Sequence, residues 1–255
     1  TLKQKQWKTL AGKHERIEWH DSIDSLPQLP LLLVANEFFD ALPIRQFIKY
    51  KDGWHERMID IVGGELNFTT TKDSVILPIS FMPTQSMLSD LGGILGDAEH
   101  SNNEENIIET CEPAIMIIRQ ISEHIATHNG AALIIDYGYT QGSKGDTLQA
   151  IKYHAYQPVL NNIGSADLPA HVDFLALSQA AQSESVNMHG VVPQGAFLMR
   201  LGAGERTTSL CKISNHEQQQ SLISGLARLA DPSEMGELFK VMAITSKQIA
   251  NADGF

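Results

Sequence analysis

Cysteine is nearly absent from this chain of 255 residues: Cys111 and Cys211 lie a hundred positions apart, which excludes a disulfide framework and a cysteine-rich zinc site and leaves two reduced core thiols. Positive charge is also scarce. Lys+Arg number 19 against 30 Asp+Glu, a formal net charge of −11, whereas a surface that displaces counterions from nucleic acid needs the opposite balance; no nucleic-acid partner is expected. Long apolar runs are missing, since Leu29–Ala35 and Ala131–Ile135 fall far short of the roughly 20 residues that cross a bilayer, and no membrane span is expected. The opening Thr1-Leu2-Lys3-Gln4-Lys5-Gln6-Trp7 has neither the apolar stretch of a signal peptide nor the Arg/Ser bias of a transit peptide. A bacterial cytoplasm is therefore the expected compartment, or a mitochondrial matrix if the source is eukaryotic. Absent as well are the Gly-x-Ser-x-Gly elbow, the Gly-x-x-x-x-Gly-Lys-Ser/Thr loop and His-Glu-x-x-His, so no metal is expected and no serine-hydrolase or P-loop chemistry has its motif.

What is present suits a folded globular chain, with 42% hydrophobic and 19% charged residues. Leu2, Gln6, Trp7 and Leu10 recur at helical spacing, with Ala11-Gly12 as a stop. A short strand is expected at Arg16–Trp19. The run Leu29–Ala35 predicts a parallel strand covered on both faces, and Arg45–Ile61 predicts a hairpin inserted after it, turning at Asp52-Gly53. Residues 90–106, rich in Gly, Asn, Ser and Glu, read as a flexible loop. Cys111, Ala114, Ile115, Ile118, Ile121 and Ile125 then share a helical face that Pro113 opens and Gly130 closes, and Ala131–Ile135 follows as a second buried strand. Helix before apolar strand, with a similar strand upstream, is the repeat of an α/β domain with a parallel sheet. Phe174–Ala181 predicts a helix, Gly195–Leu201 a strand, and Ser221–Leu229 with Met235–Met242 the closing helices.

Ligands of open α/β sheets bind beyond the carboxyl ends of the strands, and both apolar strands run into polar residues there. After the first come Asn36-Glu37-Phe38-Phe39-Asp40-Ala41-Leu42-Pro43, whose Glu37 and Asp40 carboxylates suit a cationic group. The same residues also allow Asn36 and Asp40 to cap a short helix with Phe38 and Phe39 in the core. After the second come Asp136-Tyr137-Gly138-Tyr139, read either as site residues or as a strand exit with Gly138 at positive φ. Gly145–Ala150, with Asp146, and Asp167–Phe174, with His171 and Asp173, concentrate further polar groups, as does His154; helix capping by Asp167 or Asp173 and hydrogen-bonded histidines explain them equally well. Gly202-Ala203-Gly204 offers only the first half of a nucleotide-binding glycine turn.

In order and spacing, Asn36–Pro43, Leu133–Tyr139, Gly145–His154 and Asp167–Phe174, with Pro193–Gly202 and Met235–Val241, resemble the signature blocks of the MidA-like (DUF185) family of S-adenosylmethionine-dependent methyltransferases. The resemblance implies a Rossmann-like class I methyltransferase fold with an inserted β-hairpin, and a protein arginine methyltransferase whose mitochondrial members act on a subunit of respiratory complex I. The family's glycine-rich cofactor loop and ribose-binding acid, which precede a helix like Thr1–Gln6, are not in this chain. It therefore implies that residues 1–255 are the C-terminal part of a single, N-terminally truncated methyltransferase domain.

Carried onto this sequence, the resemblance places S-adenosyl-L-methionine near Trp19-His20 and Ala35-Asn36. Asn36-Glu37-Phe38-Phe39 also resembles the glutamate loop of arginine methyltransferases, which implies Glu37 as the residue orienting a substrate guanidinium and Asp40 as a second acceptor. Asp136, Tyr137, Asp146, His154, His171 and Asp173 are expected on the substrate side. The partner implied is a protein with a target arginine, with a homodimer as a possible assembly. The alternative is a non-catalytic assembly or binding protein on the same fold, docking through Phe47, Tyr50 and Trp54 of the hairpin.

Overall fold

The computed structural model describes residues 2–13, 17–78, 107–141, 145–153, 155–161, 163–182 and 185–255, so the loop expected at 90–106 and His154 lie outside the described residues. Helix α1 spans Leu2–Leu10 as its periodicity predicts, but Ile17–Trp19 form no strand. Strand β1, Leu31–Asn36, follows. The Arg45–Ile61 region forms β2, Arg45–Tyr50, and β3, Gly53–Val62, around the expected turn, and then continues into β4, Glu65–Thr70. With β5, Ile107–Thr110, these strands make an antiparallel sheet in the order β4-β3-β2-β5, larger than the hairpin expected.

Helix α2, Glu112–His128, buries Ala114, Ile115, Ile118, Ile121 and Ile125, the face read from spacing. Asn129, at φ 69, ends it, not Gly130. Gly130 instead opens strand β6, Gly130–Tyr139, where a Cβ would stand 2.1 Å from the Leu31 carbonyl oxygen; only glycine lets the two strands approach. The small ribbon β7, Ala150–Lys152, and β8, Ala155–Gln157, precedes β9, Val172–Asp173, and helix α3, Phe174–Gln182.

Strand β10, Val186–Pro193, leads to four helices: α4, Gln194–Arg200; α5, Ala203–Cys211; α6, His216–Ala230; and α7, Met235–Leu238. The strand expected at Gly195–Leu201 is thus α4, because a seven-residue apolar run carries no period that separates a strand from a packed helix. Gly195 meets the end of α6 closely, a Cβ there standing 2.3 Å from the Ala230 oxygen. Gly202 caps α5 in a left-handed conformation, φ 83, and so belongs to a helix start.

The helix expected over Met235–Met242 breaks at Phe239, where strand β11, Phe239–Ser246, begins. Every residue of β11 is buried, so it has no alternation to betray it, and Met235, Leu238 and Met242 mimic a helical face. It is a central strand of the main sheet, order β1-β6-β11-β10, with β1 parallel to β6 and β11 antiparallel to both neighbours. Strand β1 departs from its reading too: Leu33 and Ala35 pack against the core, but Leu32 and Val34 are 86% and 70% exposed, so one face is covered and not two. The core lies between this sheet and helices α2 and α3, with Ile118, Ile125, Ile134, Phe174 and Ile244 fully buried.

Candidate active site

Asp136 organises the carboxyl ends of β1 and β6. It lies within β6, not after it, and its side chain is fully buried. Oδ2 accepts the backbone N–H groups of Phe38, Phe39 and Asp40 at 3.2, 3.0 and 3.3 Å, and Oδ1 accepts that of Tyr137 at 3.0 Å. One carboxylate thus holds the whole turn after β1, in place of the short helix that Asn36 and Asp40 were open to capping. Burial, with the neighbouring Asp40 carboxylate, pushes the Asp136 carboxyl up to about 7, while the N–H donors pull the other way.

The turn presents Glu37 and Asp40. Glu37 is exposed and sits at φ 47, a left-handed conformation that costs a non-glycine residue about 1 kcal/mol. Asp40 is buried; Oδ2 accepts the Tyr137 hydroxyl at 2.6 Å, and Oδ1, itself buried, has no hydrogen-bond partner among the described residues. Burial, the bond to Asp40 and the charges of Asp40, Asp136 and Glu37 raise the Tyr137 phenol above its ordinary range, so it stays a donor. Its ring is walled edge-on by His171 at 5.6 Å and Phe239 at 5.5 Å. Burial and then the Lys240 charge lower the His171 imidazole, keeping it neutral near neutral pH. Among the described residues no Lys or Arg forms an ion pair with Glu37, Asp40 or Asp136. Gly138 does not adopt the positive φ considered for it; it is glycine because a Cβ would stand 2.1 Å from the Val172 oxygen of β9.

A second polar cluster braces the first. Buried Glu109 of β5 accepts Gln46 Nε2 at 2.7 Å and the Thr147 amide at 2.9 Å, and also the Thr147 hydroxyl, which in turn accepts the backbone N–H of His171 at 3.0 Å. Asp146 faces this network, not Asp40: it accepts Gln46 at 2.7 Å and the Arg57 guanidinium. Between the clusters is a cavity of about 40 Å³, lined in part by Phe39, Glu109, Tyr139, His171 and Asp173, with room for ordered water. Asp173 accepts the Ala176 N–H at 3.0 Å and caps α3, the alternative its position left open, and burial raises its carboxyl to about 6.

The expected cofactor residues separate into two groups. Ala35 and Asn36 end β1 beside Glu37, and the exposed Asn36 amide makes no hydrogen bond among the described residues. Trp19 instead donates its indole N–H to Gln6 at 3.1 Å, and His20 meets the Ser25 hydroxyl at 3.1 Å, so their contacts stay within the N-terminal segment. Sequence reasoning passed over Glu109, Gln46 and Arg57, each an ordinary polar residue in an alternating strand; only Thr147, inside a polar block, carried a signal.

Residues 1–192 match the Methyltransf_28 model, the family of S-adenosyl-L-methionine-dependent methyltransferases. The human "Protein arginine methyltransferase NDUFAF7, mitochondrial" is 33% identical over 236 residues, 91% of this chain and 49% of that protein. Its Drosophila melanogaster homolog is 34% identical over 229 residues, 89% of this chain and 49% of its own length. The chain spans about half the length of the curated relatives it matches. A COG1565 superfamily protein from Burkholderia thailandensis, solved with S-adenosyl-homocysteine bound, superposes with a TM-score of 0.74 at 26% identity, covering 99% of this chain and 63% of that one. A native COG1565 structure from the same organism gives 0.76 at 26% identity, with coverages of 99% and 65%. With a class I methyltransferase fold and a match over three quarters of its length, this chain belongs to the family of S-adenosyl-L-methionine-dependent methyltransferases.

Proposed function

We propose that the chain forms the substrate side of an S-adenosylmethionine-dependent protein arginine methyltransferase. The carrying observation is the carboxylate cluster at the ends of β1 and β6, where Asp40 holds Tyr137 and neither it nor Glu37 forms an ion pair with Lys or Arg among the described residues. A guanidinium is planar, permanently charged and a poor nucleophile, so it has to be held by carboxylates and aimed before it reacts. Glu37 supplies the exposed acceptor. Asp40, with Oδ2 fixed by Tyr137 and Oδ1 buried, adds negative charge beside Glu37 and not a direct contact to the substrate. Neutral His171 and Phe239 hold the Tyr137 ring in place.

S-adenosylmethionine fits the open end of β1, where Asn36 has an amide free for it, and would supply an electrophilic methyl carbon there. Reactant and product guanidinium each carry one positive charge, so the nitrogen that gains a methyl group must release one proton. The exposed Glu37 carboxylate, open to solvent, is the acceptor that the cluster offers. A subunit of respiratory complex I is the substrate that the family resemblance implies, in a bacterial cytoplasm or, as in the mitochondrial relatives, in a matrix. The test is the Glu37→Gln variant in the protein at the full length of its relatives. Methyl transfer to a protein arginine should fall at least about a hundredfold with cofactor affinity unchanged; unaltered transfer removes Glu37 from the role.

A further inference from the structure

Phe47, Tyr50 and Trp54 do not share one exposed face, although Tyr50 is itself 46% exposed. Phe47 is fully buried, Tyr50 packs edge-on against His55 at 5.1 Å, and Trp54 receives the Lys49 ammonium at 5.3 Å. The exposed apolar surface lies farther out, where β3 and β4 project as a two-stranded ribbon. Register pairs Ile59 with Phe68 and Ile61 with Leu66, so these four side chains share one face. Ile59 and Ile61 are 53% and 68% exposed. Arg57 lies on that face as well, its guanidinium 3.7 Å above the Phe68 ring while it also binds Asp146. The face therefore runs on from the network that braces His171.

Strand β4 also ends its sheet, and among the described residues nothing pairs along its outer edge. The Thr71 N–H bonds to the Glu56 oxygen, and bonded pairs in an antiparallel ladder recur every second residue. The main-chain groups of Glu65, Asn67 and Thr69 thus face β3, and those of Leu66, Phe68 and Thr70 face outward. From Met58 to Thr70 the ribbon carries two carboxylates, Asp60 and Glu65, and no cationic side chain. Both acids lie on the face opposite Ile59 and Ile61. An edge strand without Lys or Pro is an open template for another strand.

We propose that the β4 edge docks an extended segment of the arginine-bearing partner protein, one in which apolar residues alternate with Lys or Arg. A strand added there places its apolar side chains beside Leu66 and Phe68, extending the face that Ile59 and Ile61 continue on β3, and its basic ones beside Glu65 on the face that also carries Asp60. The net charge of −11 opposes a second copy of this chain as the occupant and favours a cationic one. The partner's identity as a methylation substrate rests on the function proposed above; the binding of the segment does not.

The probe is a fluorescein-labelled peptide of about ten residues alternating Val and Lys, titrated against this chain at low salt. A same-composition peptide with its lysines in one block is the comparison. The alternating peptide should bind at least about tenfold more tightly. Leu66→Thr with Phe68→Thr should abolish that preference, and so should Leu66→Pro, which removes an outward N–H and leaves the β3 ladder intact. Glu37→Gln should leave it unchanged, separating this result from failure of the arginine site. Equal binding of the two peptides, or persistence of the preference in both ribbon variants, overturns the proposal. So does a wild-type dimer in light scattering that these same substitutions dissociate, since the occupant is then a second copy.

Discussion

Two acidic clusters stand on either side of the Thr147 to His171 hydrogen bond, and they are finished differently. Glu109 and Asp146 are saturated: Gln46, Thr147 and Arg57 supply amide, hydroxyl and guanidinium donors from three segments. Asp40 and Asp136 have backbone and phenol donors, but among the described residues neither they nor Glu37 have a cationic partner, and buried Asp40 Oδ1 has no hydrogen-bond partner. An acidic cluster that carries its own guanidinium is a brace. The cluster around Tyr137 that lacks one is where the proposed function puts the substrate guanidinium.

The largest expected effect strikes the foundation of the open cluster. Asp136→Ala strands several buried N–H groups and should lower stability by about 3 kcal/mol in urea unfolding, with the Glu37 to Asp40 turn released. A loss no greater than that of an exposed Asp→Ala would mean that the turn is held by packing alone.

Asp173, between the clusters, sharpens the comparison through pH. Burial raises its carboxyl from 3.8 to about 6, so the folded state keeps a proton that the unfolded chain releases, and this residue's contribution to stability falls as pH rises from 4 to 6. Asp173→Asn keeps the helix cap and removes that fall. The variant should match the parent at pH 4 and exceed it by about 2 kcal/mol above pH 6, as read from paired denaturation curves.

Thr147→Val cuts the link between clusters and should cost about 1.5 kcal/mol. It should also shift the His171 imidazole NMR resonances; an undisturbed His171 would leave the two clusters independent. The smallest effect has the opposite sign. Glu37→Gly relieves a left-handed residue and should stabilise the fold by about 1 kcal/mol while weakening capture of an arginine peptide. Destabilisation instead would mean that the Glu37 side chain holds the turn together.

Much of the architecture was legible because its signals are local. The α2 face followed from isoleucine spacing, the β2–β3 turn from Asp52-Gly53, and the site's placement from polar residues closing two apolar runs. What stayed hidden depends on the whole sheet. Strand β11 is buried on both faces and so lacks the alternation that marks a strand, and β1 looked like an interior strand because its composition is that of one. The carboxylate cluster was readable in outline, since Glu37, Asp40, Asp136 and Tyr137 all flank strand ends. Their division of labour was not, because Asp136 acts on N–H groups nearly a hundred residues away, and Asp146 turns toward Arg57 through a contact that no spacing announces.

The central place of β11 also bears on how the chain is made. On the ribosome, β6 emerges with β1 already beside it, but its other edge waits for residues 239–246, about a hundred positions later. At the roughly 5–20 residues per second of synthesis, that edge stands unpaired for several seconds in every nascent chain. A nonsense mutation anywhere upstream of Phe239 makes the exposure permanent, so late truncations should yield aggregates and no smaller working domain.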